Sequence, residues 1–147
     1  MGKLTPPKER RLKCVKKITV PSAPQPKGFK AIKAWQKADD LAVKVYDVTQ
    51  GFPRHQLYTL TNQMQRAVIS VPANIAEGSG RSTVADYLRF LYIARGSLFE
   101  LEYYLHLARR LGYLDEANYE AVSSLQSETA RILSGFIKAK QRQLRTP

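Results

Sequence analysis

From Ile32 onward, apolar residues return every three or four positions, the spacing that marks one face of an α-helix. Trp35, Ala38, Ala42, Val45, Tyr46 and Thr49 make the first such face. Gly51-Phe52-Pro53 ends it, because glycine suits a helix C-terminus and proline cannot continue the helix. Leu57, Leu60, Met64, Ala67, Val68, Val71 and Ile75 predict a second helix, with Pro72 inside it. That proline removes a backbone donor and crowds the carbonyl four residues back, so a kink is expected there. Gly78-Ser79-Gly80 closes the segment. In the third helix Tyr87, Leu91, Ala94, Leu98, Leu101, Leu105 and Ala108 alternate steps of four and three, a heptad seam running toward Leu111. Thr83 and Asp86 stand three apart, as in a capping box, and place the start of this helix. Asp115 caps a fourth helix, with Val122, Leu125, Thr129, Ile132 and Phe136 facing inward. No segment after residue 30 reads as a strand. Four long helices with short connections predict an all-α fold, an antiparallel up-down-up-down four-helix bundle.

The third helix carries more apolar surface than one seam uses: Leu88, Phe90, Tyr92, Ile93, Phe99, Tyr103 and Tyr104 flank it. A helix in a monomeric bundle turns a polar face to water. Phe90, Tyr92, Phe99 and Tyr103 are therefore candidates for a subunit interface. The plainer alternative is a wide intramolecular face with tyrosine hydroxyls at its wet edge.

Charge divides the chain further. The 147 residues hold 24 Lys+Arg and 12 Asp+Glu, a net charge of +12. Residues 1–30 contain nine basic residues and one acid, residues 134–147 four basic residues and no acid, and residues 31–133 eleven of each. The middle is formally neutral, and the excess lies at the two ends. The organisation expected is a basic, proline-containing extension over 1–30, the bundle over 31–141 and a basic tail over 142–147. Lys8 to Lys17 fits either a short basic helix or a short strand, and Pro21, Pro24 and Pro26 suggest an extended linker after it.

Several classes are excluded or disfavoured. The chain has 44% hydrophobic residues, enough for a core, and no apolar run long enough to span a bilayer. The N-terminus lacks the apolar stretch of a secretory signal, and Pro6 breaks the myristoylation pattern. A single cysteine, Cys14, forms no internal disulfide and fits a reducing cytoplasm. Lys13, Lys16 and Lys17 would make its thiol more reactive, but no base or oxyanion site is evident beside it. His55 and His106 are isolated, so no metal site is expected. Glu100 and Glu102 point apart on a helix. Gly78 to Thr83 faintly resembles a phosphate cradle but follows a helix and lacks the Gly-Lys-Ser/Thr ending, so a tight helix-helix turn is the favoured reading. Asn74, Glu77 and Arg81 cluster around that turn. No nucleophile, base and stabiliser come together, so neither an enzyme nor a cofactor is expected.

The run from Gln63 to Gly78, Gln-Met-Gln-Arg-Ala-Val-Ile-Ser-Val-Pro-Ala-Asn-Ile-Ala-Glu-Gly, strongly resembles the signature of a bacterial four-helix bundle family first noted as proteins encoded in 23S rRNA intervening sequences. Trp35 to Ala38, Tyr46, Thr49, Phe52-Pro53, Tyr87, Phe90-Leu91, Ile93-Ala94, Gly96-Ser97 and Glu100 to Glu102 extend the resemblance over roughly residues 31–138. Two positions depart from it: His55-Gln56 stands where an acid is common after the Phe-Pro turn, and Gln65 where a second arginine often accompanies Arg66. The resemblance implies homopentameric rings without enzymatic activity. It also implies kinship with the accessory variability determinant proteins of diversity-generating retroelements, basic pentamers that bind nucleic acid and a reverse transcriptase.

Two functional expectations follow. The first is an oligomer that binds RNA or DNA mainly through phosphates, using Lys8, Arg10, Arg11, Lys13, Lys16, Lys17, Arg66, Arg81, Lys138, Lys140, Arg142 and Arg145. Residues 1–28 contain no aromatic residue, so they cannot stack on bases. The other reading of the extension is a solvated solubilising segment or one attracted to a membrane surface. The second expectation is a scaffold acting as an accessory subunit of a reverse transcriptase. Asn74, Glu77, Gly78 and Arg81 mark the family's turn, and any groove on the neutral bundle would draw on Arg66, Arg81, Arg89, Arg95, Arg109 and Arg110.

Overall fold

The computed structural model describes residues 24–146. Among them the ordered elements are helical. A 3-10 turn at Gly28–Ala31 leads into α1 (Lys33–Thr49). A second 3-10 turn, Arg54–Gln56, and a π-helical turn, Leu57–Thr61, lead into α2 (Asn62–Ser79). Then follow α3 (Val84–Arg110) and α4 (Glu116–Arg145). Residues 142–145, read from sequence as part of a tail, continue α4. Helix α2 packs on α1 and α3, and α4 packs on α3 and α1.

The helix starts follow from local chemistry. A helix N-terminus leaves amides without intrahelical partners, and short polar side chains can accept from them. Thr83 accepts from the Asp86 amide at 3.1 Å, and Asp115 from the Asn118 amide at 2.7 Å. All seven seam positions of α3 are buried. They face Leu41, Val45, Met64, Val68, Val71, Ile75, Val122 and Leu133 in one core. Helix α2 continues through Pro72, which lies buried within it.

Three inward faces differ from the sequence reading. In α1, Leu41 and Val48 are buried while Tyr46 is exposed, with Trp35 and Ala42 at the margin. The extra residue in the π-helical turn shifts the helical phase, which leaves Leu57 exposed and turns Leu60 and Thr61 inward. In α4 the buried row is Val122, Gln126, Thr129, Leu133 and Ile137, and Leu125, Ile132 and Phe136 pack along its flank. Gln126 is central because its amide donates to the Leu98 carbonyl at 3.1 Å. A buried amide is tolerated when it is so paired.

Candidate functional site

The turn between α2 and α3 is built around a missing side chain. At Gly78 an added Cβ would lie 2.7 Å from Tyr87 Cδ2 and 3.0 Å from Phe90 Cβ. The two helices can approach this closely only without that atom. The turn then consumes its own amides. Gly80 donates to the Glu77 carbonyl at 3.1 Å and Arg81 to the Gly78 carbonyl at 3.1 Å. Those two amides are engaged within the turn. Glu77 and Arg81 form an ion pair, and the guanidinium lies 4.5 Å from the centre of the Phe90 ring. Asn74 faces elsewhere, one turn back along α2. It donates to the Ser70 carbonyl at 2.7 Å and the Ser70 hydroxyl at 3.0 Å, and Ser97 of α3 donates to that hydroxyl at 2.9 Å. The four turn residues thus fall into two groups, Glu77-Gly78-Arg81 at the turn and Asn74 in a serine-lined seam.

The basic candidates also separate. Lys8, Arg10, Arg11, Lys13, Lys16 and Lys17 lie outside the described residues. Arg66 is exposed on α2 in a groove of about 680 Å³ lined also by Asn62, Ile69, Ser70, Ala73 and Asn74. Arg81 is engaged at the turn. Lys140 is half-buried, its ammonium 5.0 Å from the Tyr87 ring centre and 5.6 Å from that of Phe136, and it donates to Gln143. Burial pushes the Tyr87 phenol above its ordinary pKa. Lys138, Arg142 and Arg145 are exposed. At 100° per residue they share one side of α4, and Arg131 falls in the same row. Sequence reading passed over Arg131 because it was counted with the neutral middle, whereas its helical phase relative to Lys138 would have revealed it.

Other arginines are held locally. Arg89 pairs with Asp86 at 3.7 Å, Arg95 lies 5.1 Å from the Tyr92 ring centre, and Arg109 pairs with Glu116 at 2.7 Å.

On α3 the four interface candidates behave differently. Phe90 is half-buried beneath Arg81. Tyr92 accepts a hydrogen bond from Gln141 at 3.0 Å. Phe99 is 63% exposed and Tyr103 58%, and with Tyr92 they form a stripe opposite the buried seam. Ile93 and Ile69 are also exposed nearby on α3 and α2. His55 and His106 are exposed, and the described residues contain no cluster of metal-ligating side chains. No helix among the described residues is long and apolar enough to cross a membrane.

Comparison with known proteins adds to this picture. A crystal structure of a protein with unknown function from the S23 ribosomal protein family of Bacteroides thetaiotaomicron VPI-5482 superposes with a TM-score of 0.67 at 27% identity, over 71% of this chain and 98% of that one. No curated protein matches the chain. The model of the 23S rRNA-intervening sequence protein family matches residues 30–135, which takes in all of the α1–α3 core and most of α4. By that match, over most of its length, the chain belongs to the 23S rRNA-intervening sequence protein family.

Proposed function

We propose that this chain is a non-enzymatic, self-assembling protein that binds RNA or DNA through phosphates with little sequence preference, and that it works in the cytoplasm. The observation that carries the nucleic-acid reading is where the charge sits. The core over 31–133 is neutral, and the whole +12 belongs to the flanking ends. Cations added outside a folded core suit counterion release from a polyanion, which needs no shaped pocket. The family's name, which refers to 23S rRNA, favours RNA over DNA.

An up-down-up-down arrangement accords with the contacts. Gly78 meets Tyr87 while Ser70 meets Ser97, and Tyr87 stacks near Phe136 while Leu98 meets Gln126. In each pair of helices, residue numbers rise on one side as they fall on the other. Self-assembly into a homopentamer is supported by Tyr92, Phe99 and Tyr103, apolar surface that the chain's own core does not cover. The same uncovered stripe fits a second reading, in which a reverse transcriptase is the protein partner.

Light scattering with and without single-stranded RNA tests the reading. The chain alone should run at roughly 84 kDa, five times its 16.7 kDa mass, if it closes as a five-membered ring. At low salt RNA should raise that mass, and high salt should reverse the gain. Replacing Phe99 and Tyr103 by glutamate should reduce the assembly toward single chains without loss of helicity. A single-subunit mass for the unaltered chain sinks the assembly, and no complex with RNA or DNA at low salt sinks the binding.

A further inference from the structure

The sequence places excess charge at both ends of the chain, and the fold brings the segment from Lys27 to Lys33 to the same end of the bundle as the end of α4. Lys37 of α1 pairs with Glu128 of α4 at 3.2 Å, and Thr129 lies against the Lys37 carbonyl at 3.4 Å. At the far end of α1, Phe52 packs 5.7 Å from Tyr113, just before α4 begins. The start of α1 is therefore level with Ile132 and Leu133, and the last turns of α4 run on beyond it at the same end. Tyr87, near the start of α3, packs 5.7 Å from Phe136, so that helix also begins at this end. Gly78, at the close of α2, lies beside Tyr87.

Charge follows the same axis. Residues 24–41, 71–97 and 127–146 make this end and hold twelve basic and five acidic residues. Residues 42–70 and 98–126 make the other and hold five basic and six acidic. One end is strongly positive and the other weakly negative. Residues 1–23, with seven basic residues and one acid, join the chain at the positive end.

The positive end carries a defined row. Arg131, Lys138, Arg142 and Arg145 fall within a narrow arc of α4, all exposed, with no acidic residue after Glu128. The row is about 21 Å long at 1.5 Å per residue. Lys33, also exposed, lies one turn from Lys37 on the side of α1 that meets α4. Cations in the last turn of a helix complement its dipole, which accounts for Arg142 and Arg145. That effect fades within a turn and does not account for Lys138 or Arg131.

We propose that this end of the bundle is the nucleic-acid face, and that Lys33, Arg131, Lys138, Arg142 and Arg145 bind phosphates of one strand. Arg66, in the other half, and Arg81 and Lys140, held against rings, are not part of this face. The placement rests on the nucleic-acid reading above and adds a polarity to it.

The test titrates fluorescein-labelled single-stranded RNA into the full chain at several salt concentrations. One variant carries Arg131→Gln, Lys138→Gln, Arg142→Gln and Arg145→Gln. A control carries Arg54→Gln, Arg66→Gln and Arg110→Gln, exposed cations of the other end. With about 0.7 units of salt slope per neutralised phosphate on a single strand, the α4 variant should lose about three units and the control almost none. Helicity and melting temperature, unchanged in both, keep the comparison on binding. A control that loses as much as the α4 variant overturns the placement, as does an α4 variant with an unchanged slope. No binding by the unaltered chain overturns the nucleic-acid reading itself.

Discussion

Gly78→Val should destabilise the protein by about 2–3 kcal/mol, the cost of forcing extra methyl groups into a packed contact. The added Cβ meets the Tyr87 ring at 2.7 Å and the Phe90 Cβ at 3.0 Å. Tyr87 cannot swing clear, because it is buried and packs on Phe136. Helices α2 and α3 would have to separate, and that would loosen a contact extending to Ser70 and Ser97. Alanine gives the sharper sign. In an open helix position Gly→Ala stabilises by about 0.5–1 kcal/mol, since glycine has more backbone freedom to lose. Gly135, in α4 with nothing within 4 Å of an added Cβ, should show that gain, whereas Gly78→Ala should lose stability. Urea denaturation at one fixed protein concentration measures both, because assembly would make stability concentration-dependent. A stabilising Gly78→Ala would contradict the close packing at the turn.

Removing residues 1–23 should leave the fold intact and weaken nucleic-acid binding heavily. The cut falls before Phe29, which packs edge-on against Trp35 with ring centres 5.1 Å apart, so the root of α1 keeps its cover. The deleted segment holds seven basic residues and one acid. If each cation neutralises a phosphate, the salt slope on single-stranded RNA should fall by about five units. The melting temperature should stay where it was. An unchanged slope would make the extension a solubilising segment, and a collapsed melting transition would make it part of the fold.

The helical core was legible in the sequence because its signals are local. The α3 seam from Tyr87 to Ala108 needs only a period, and Thr83 and Asp115 need only a short polar side chain ahead of a helix. The α4 face was less so. Gln126 is buried through a hydrogen bond to Leu98, a residue in another helix, and counting apolar positions passes over it. Leu57 faces outward because a π-helical turn adds a residue to the phase, and nothing in Leu-Tyr-Thr-Leu-Thr announces that. The basic candidates were legible as residues but not as a surface. Lys140 belongs with Tyr87 and Phe136, and Arg81 with Glu77 and Phe90, only once α2, α3 and α4 have packed. That Lys37 lies beside Glu128 depends on how α1 and α4 pack, which no window along the chain contains.

On the proposal above, a neutral bundle carries its nucleic-acid face at one basic end. Photo-crosslinking the full chain to 4-thiouridine-substituted RNA, followed by mass spectrometry of the RNA-bearing peptides, tests it most directly. Crosslinks should fall within residues 1–33 and 131–147, at the positive end. Crosslinks concentrated within 42–70 and 98–126, at the opposite end, would show that the strand binds elsewhere.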